Sequence, residues 1–226
     1  MPVIEARSVS HVYGARTVLE RVDVHLTEQR VGIVGANGSG KSTFVRMVNG
    51  LVIPSEGSVT VDGLDPRREG REVRRRVGFC FTDPDAQIVM PTVAEDVAFG
   101  LRRRGLSKPE ARERVDAALQ AYGLADHADH PAHLLSGGQK QMLALASVLV
   151  TEPDVLVMDE PTTLLDLRNA QLVSGVVAGL AQQVLLVTHH LDLLAGFDRV
   201  LVFDEGRLVC DDVPTTAVAH YRKLMA

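Results

Sequence analysis

The chain has 226 residues, 46% of them hydrophobic, with a formal net charge of −5 and a pI near 5.9. That apolar content can build a substantial core, and the acidic balance supplies no global attraction for nucleic acid or an anionic bilayer. No apolar run approaches bilayer-spanning length, and the start Met1-Pro2-Val3-Ile4-Glu5-Ala6-Arg7 has no basic stretch followed by an apolar core, so the expectation is a cytosolic chain that touches a membrane only through partners.

In chain order, residues 3–6, 9–13 and 22–26 cluster apolar and β-branched side chains between turn formers such as Gly14, which predicts antiparallel strands; Tyr13 is the only aromatic among them. The apolar run 31–34 then leads into Gly35-Ala36-Asn37-Gly38-Ser39-Gly40-Lys41-Ser42-Thr43, followed by a helical pattern over 44–48. Strand, glycine-rich loop and helix form the context of a phosphate-binding P-loop, in which several N–H groups turn toward one anion at a helix N-terminus. Lys41 would reach the β- and γ-phosphates, and the Ser42 hydroxyl would ligate Mg²⁺ bound to them. A glycine-rich turn is the plain alternative, and the full spacing favours nucleotide binding over it.

Residues 57–61 read as a strand ending in an Asp62-Gly63 turn. The arginine-rich stretch 66–76 raises the prospect of a phospholipid or nucleic-acid patch, but Glu69 and Glu72 interrupt it and a solvated helix face accounts for it better. A compact strand is expected over 77–81 and a loop over 82–90. Helical periodicity dominates 93–150, with a helix over 111–122 introduced by the capping sequence Ser107-Lys108-Pro109-Glu110. His127, His130 and His133 lack a completing cysteine or carboxylate and are interrupted by Pro131, so solvent-exposed connector histidines are expected rather than a metal site. Cys80 and Cys210 read as buried free thiols in a reducing compartment. Continuous apolar runs at 155–158, 184–187 and 200–203, with a helical segment at 169–180 and a closing helix at 214–225, predict strands buried on both faces in a parallel α/β sheet.

Asp159-Glu160 follows one of these buried strands, which places two carboxylates where α/β sheets bind ligands. Asp159 can hold Mg²⁺ through water, and Glu160 can orient or deprotonate an attacking water; alone, such a pair is more often a helix cap. Leu135-Ser136-Gly137-Gly138-Gln139 opens a helix with small residues, either as an ordinary capped start or as a second anion cradle.

With this stretch the chain resembles the ATP-binding cassette (ABC) ATPases over essentially its whole length. The resemblance implies an α/β P-loop ABC ATPase fold with a mostly parallel core sheet, an antiparallel β subdomain and a helical subdomain inserted at about 90–150, all in one nucleotide-binding domain of residues 1–226. It implies ATP and Mg²⁺ as ligands, Tyr13 stacked on adenine, Gly35 to Thr43 as Walker A, and residues 155–159 as Walker B. By the same resemblance Glu160 is the catalytic base, Leu165-Asp166 the D-loop and His189 the switch histidine, while Ser136, Gly137, Gly138 and Gln139 serve the nucleotide of an opposite protomer. Helix or strand-end capping is the bland alternative for the pair His189-His190 and for Asp166.

Residues 81–101, with Asp83-Pro84-Asp85-Ala86-Gln87 and Pro91 to Gly100, further resemble the ATPase of energy-coupling-factor importers for vitamins and transition-metal ions. In that group the residue after the strand is usually a glutamine contacting Mg²⁺; here Thr82 stands there. Gln29, Met142 and Leu164 are milder departures. The resemblance implies a homodimer or heterodimer of ATPase subunits, an integral-membrane coupling subunit and a substrate-binding membrane subunit, with no nucleic acid, at the cytoplasmic face of the membrane. A biotin-like cargo is suggested by Thr82-Asp83-Pro84. The rival readings are a soluble ABC ATPase acting on nucleic acid or a protein assembly, which this length without coiled coils and this acidity do not favour, and a P-loop kinase, which leaves 135–139 without a purpose.

Overall fold

The computed structural model describes residues 1–102 and 104–226, and the chain falls into two units, one of Met1–Val77, Asp154–Glu160 and Leu180–Ala226, the other of Gly78–Pro153 and Pro161–Gly179. In the first unit an antiparallel sheet has the order β2 (Arg16–Leu26), β1 (Ile4–Tyr13), β4 (Glu56–Val61). β1 is one strand where the sequence pattern suggested two. Ser8 adopts φ 47 and the register with β2 shifts between Ala6 and Val9, so a bulge interrupts the alternation without ending the pairing. β2 also begins earlier than the 22–26 expected, directly after the Gly14-Ala15 turn, which makes Tyr13 and Arg16 Cα partners. The Asp62-Gly63 turn forms as expected, with φ 50 and 78 and a bridge between Val61 and Leu64.

The second sheet of this unit runs β6 (Val155–Asp159), β7 (Gln183–Val187), β3 (Arg30–Gly35), β8 (Arg199–Asp204), β9 (Arg207–Asp212). The first four are parallel and β9 is antiparallel to β8. Every residue of β3, β6 and β7 is buried, which is why they read as unbroken apolar runs. β9 escaped the sequence reading because it is an edge strand of alternating partly exposed and exposed residues. Its attachment is polar: Arg199 donates to both carboxylate oxygens of Asp211 at 2.5 and 2.6 Å and to Glu28 at 3.0 Å. Cys210 lies on β9 and is only partly buried, so it is not the interior thiol expected. Helices α1 (Lys41–Val48), α2 (Pro66–Arg76) and α7 (Pro214–Leu224) complete the unit. The arginines of α2 are exposed, the solvated face that its sequence suggested.

β5 (Val77–Cys80) leads into the helical unit of α3 (Val93–Leu101), α4 (Lys108–Ala121), α5 (Gly137–Leu149) and α6 (Leu167–Gly179). Reciprocal capping boxes start α3 (Thr92 with Glu95), α4 (Ser107 with Glu110) and α5 (Ser136 with Gln139), so each start satisfies two backbone N–H groups. Val97, Leu119, Leu124 and Leu143 meet in the core of this unit. β5 stops at Cys80, one residue before the expected end, where the Gln87 side chain accepts from the Phe81 N–H at 3.1 Å and donates to the Ala144 carbonyl at 3.0 Å. Cys80 is fully buried, and burial pushes its thiol up to about 12, as expected of an inert interior cysteine. His127 departs from expectation: it is partly buried, its Nδ1 2.8 Å from His130 Nδ1 and its Nε2 2.9 Å from Gln139 Nε2. His130 and His133 are exposed.

Candidate active site

The loop between β3 and α1 is shaped by backbone crowding. A Cβ at Gly35 would lie 2.1 Å from the Phe203 carbonyl oxygen, and one at Gly40 (φ 98) would lie 2.6 Å from that of Val18. Only glycine fits at both ends, and the chain between them wraps a concavity. Within it the Ser39 hydroxyl is buried without a hydrogen-bond partner among the described residues, and Lys41, 5% exposed, donates from Nζ to the Gly35 and Ala36 carbonyls at 2.8 Å each. Burial holds the Lys41 ammonium below its usual range, with the Glu160 and Asp159 carboxylates opposing that shift. A buried cation resting on its own loop carbonyls and a buried hydroxyl awaiting a partner both suit an incoming polyanion.

Two carboxylates close this arrangement. Asp159, 1% exposed at the end of β6, accepts from the Ser42 hydroxyl at 2.7 Å on Oδ1 and from Arg46 at 3.0 Å on Oδ2. The next residue, Glu160, donates its N–H to Val187 of β7 at 3.0 Å and takes φ 53, a left-handed conformation that costs an ordinary residue roughly 1–3 kcal/mol. His189, just past β7, places Nδ1 3.3 Å from Glu160 Oε2. His190 packs its ring at 4.3 Å from that of His189 and stands before a short turn at Leu191–Leu194 without making a side-chain cap. A cleft of about 270 Å³ is lined by Tyr13, Arg16, Asn37, Gly38, Lys41, Ser42, Thr43 and Glu160 among others. Tyr13 is 53% exposed and stacks edge-on against His11, leaving a face for a planar group.

The remaining sequence candidates lie in the helical unit. Ser136 is exposed and its hydroxyl accepts from the Gln139 N–H at 3.3 Å, so it serves as the α5 cap. A Cβ at Gly138 would meet the Asn169 side chain at 2.2 Å, whereas one at Gly137 would meet nothing within 4 Å. Gly138 therefore has a packing reason to be glycine, and Gly137 has none among the described residues. Asp166 is exposed and caps α6 through the Asn169 N–H at 2.8 Å, the bland role considered for it. Thr82 is partly buried at the exit of β5. Arg46 and Arg16 were missed by sequence reading. Their one available signal was position, a turn after Ser42 for the first and the residue opposite Tyr13 for the second.

Residues 19–163 match the ABC transporter family. The chain belongs to that family. It is 48% identical over 223 residues to the biotin transport ATP-binding protein BioM of Rhizobium etli, covering 99% of both chains. It is 42% identical over 241 aligned positions to the energy-coupling factor transporter ATP-binding protein EcfA1 of Symbiobacterium thermophilum, covering all of this chain and 84% of that one. Among solved structures, cbiO1 of Clostridium perfringens, described as part of the ABC transporter complex cbiONQ, matches with a TM-score of 0.84 and 32% identity over 98% of this chain and 92% of that chain. The fold is thus that of an ABC ATPase, and this ABC ATPase binds and hydrolyses ATP. Among its described residues no helix is long and apolar enough to cross a membrane.

Proposed function

We propose that this ABC ATPase is the subunit that powers an importer of the energy-coupling-factor type, with a vitamin of the biotin kind or a transition-metal ion as cargo. It works as a single nucleotide-binding domain with the helical subdomain inserted at about 90–150, paired with a like or related ATPase subunit. It sits at the cytoplasmic face of the membrane against an integral-membrane coupling subunit, with a substrate-binding membrane subunit alongside. The name of BioM supports a biotin-like cargo, that of EcfA1 the transporter type, and the description of cbiO1 as part of the cbiONQ complex supports work within a larger assembly.

The observation that carries the chemistry is the gathering of Lys41, Ser42, Asp159, Glu160 and His189 at the carboxyl ends of β3, β6 and β7. Tyr13 receives the adenine, while Gly35, Asn37, Gly38, Ser39, Gly40 and Thr43 supply backbone and side-chain donors to the phosphates. Lys41 leaves its two carbonyls for the β- and γ-phosphates. The Ser42 hydroxyl and the Asp159 carboxylate form a hard oxygen set that suits Mg²⁺, with Thr82 as a further candidate donor. That ion would neutralise charge on the phosphates. Glu160 takes a proton from water as the water oxygen bonds to the γ-phosphorus and the bond to the β–γ bridging oxygen breaks, giving ADP and phosphate. His189, within reach of Glu160, orients that carboxylate and the γ-phosphate. Ser136, Gly137, Gly138, Gln139 and Asp166 complete the site of the partner protomer, which gives open Gly137 a reason to lack a side chain.

Glu160→Gln tests this reading, because the amide keeps the shape and removes the base. ATP binding should persist while turnover falls at least about 100-fold. An ATP-dependent dimer should then accumulate in gel filtration. Wild-type turnover in the variant would remove Glu160 from the mechanism.

A further inference from the structure

Arg16 is exposed at the start of β2 and, unlike the arginines at 7, 46, 76, 199 and 207, makes no ion pair among the described residues. Its position is tightly specified all the same. It is the Cα partner of Tyr13 across the Gly14-Ala15 turn, and it lines the same cleft as Tyr13, Lys41 and Ser42. Its guanidinium leans over the phosphate loop, since a Cβ placed on Gly38 would lie 3.2 Å from Arg16 Nη2. Asp204 and Glu205 line the adjoining concavity with Arg16, and no ion pair joins either of them to it among the described residues. A guanidinium keeps its charge at any working pH, and its planar fork suits bidentate contact with phosphate oxygens. A carboxylate-free guanidinium poised between the adenine-side aromatic and the glycine loop is thus available to a triphosphate, which concentrates more negative charge than either nearby acid.

We propose that Arg16 is a further nucleotide-binding residue, contacting the polyphosphate of ATP beside the glycine loop; the inference rests on the nucleotide-site reading above. The test measures ATP and AMP by competition against trinitrophenyl-ATP, in wild type, Arg16→Ala, Arg16→Lys and Lys41→Ala. Arg16→Ala should weaken ATP about tenfold, the scale of one charge-assisted hydrogen bond at an exposed position, while leaving AMP within about twofold of wild type. Arg16→Lys should restore part of the loss, since it keeps the charge without the fork. Unchanged ATP affinity in Arg16→Ala, or equal losses for ATP and AMP, would overturn the proposal. Lys41→Ala separates this from the underlying reading: if it too retains ATP affinity, the loop is not the phosphate site, whereas loss there with no effect at Arg16 leaves the site standing without Arg16.

Discussion

A threonine hydroxyl sits one carbon from the backbone, so Thr82 cannot extend as far as the glutamine that the resembled importers carry at this place. The neighbouring Gln87 is no ready substitute, because its amide is committed on both sides, to the Phe81 N–H and the Ala144 carbonyl, and leaving would orphan two backbone groups. A hydroxyl can serve a metal ion through a bridging water, at an immobilisation cost of at most about 2 kcal/mol. Thr82→Gln should therefore change the ATPase rate of the isolated protein less than about threefold and alter its stimulation in the assembled transporter more strongly, for a ligand change of this size. Rate measurements in both settings check this, and equal effects would remove Thr82 from coupling. At this scale the phosphate loop was legible because its function dictates a local spacing. The contact of Asp159 with Arg46 was not, since it joins separate stretches of chain through side-chain reach, and Glu160 and His189 were brought to one site only through the family resemblance.

The elements of the helical unit are held by a polar anchor in addition to apolar packing. Asp96 on α3 is 4% exposed and accepts from the Val89 and Met90 N–H groups at 2.8 and 3.0 Å and from the Ser147 hydroxyl of α5 at 2.9 Å. It fixes the loop before α3 and joins two helices, so Asp96→Ala leaves three donors unsatisfied. A loss of about 3 kcal/mol is expected, seen as a lower urea midpoint, with Asp96→Asn retaining part of the stability through its carbonyl oxygen. Equal midpoints in wild type and Asp96→Ala would show that water replaces the carboxylate. Nothing in Val-Ala-Glu-Asp-Val-Ala marks that aspartate as interior; a charged residue in a helix pattern reads as surface until its partners are known. Capping boxes were legible at Ser107 because cap, proline and glutamate are adjacent, whereas β9 was hidden by an exposed face and the continuity of β1 by its bulge at Ser8.

At the scale of the whole molecule, we propose that one chain carries two half-sites, each completed by a partner protomer. The loop with Lys41 belongs to the first unit and the Ser136-Gly137-Gly138 turn to the second, a second unit that also takes in 161–179, which no composition shift along the sequence announces. A side chain at Gly137 would meet nothing within 4 Å among the described residues, which leaves room there for a partner's nucleotide. If each ATP is clamped by the loop of one protomer and the turn of its partner, defects in the two half-sites complement each other. A Lys41→Ala protomer mixed with a Ser136→Arg protomer forms heterodimers with one composite site made of two intact halves and one made of two damaged halves. In a random mixture about half of the dimers are of this mixed kind, and with hydrolysis at one site sufficient, ATPase activity should recover to roughly a quarter of wild type from near zero in either variant alone, the loss of site residues being non-additive within a site. Titrating one variant into the other while following phosphate release should trace a maximum near equal amounts. A flat titration, with mixed dimers confirmed by a tag on one partner, would place the turn with the nucleotide of its own chain.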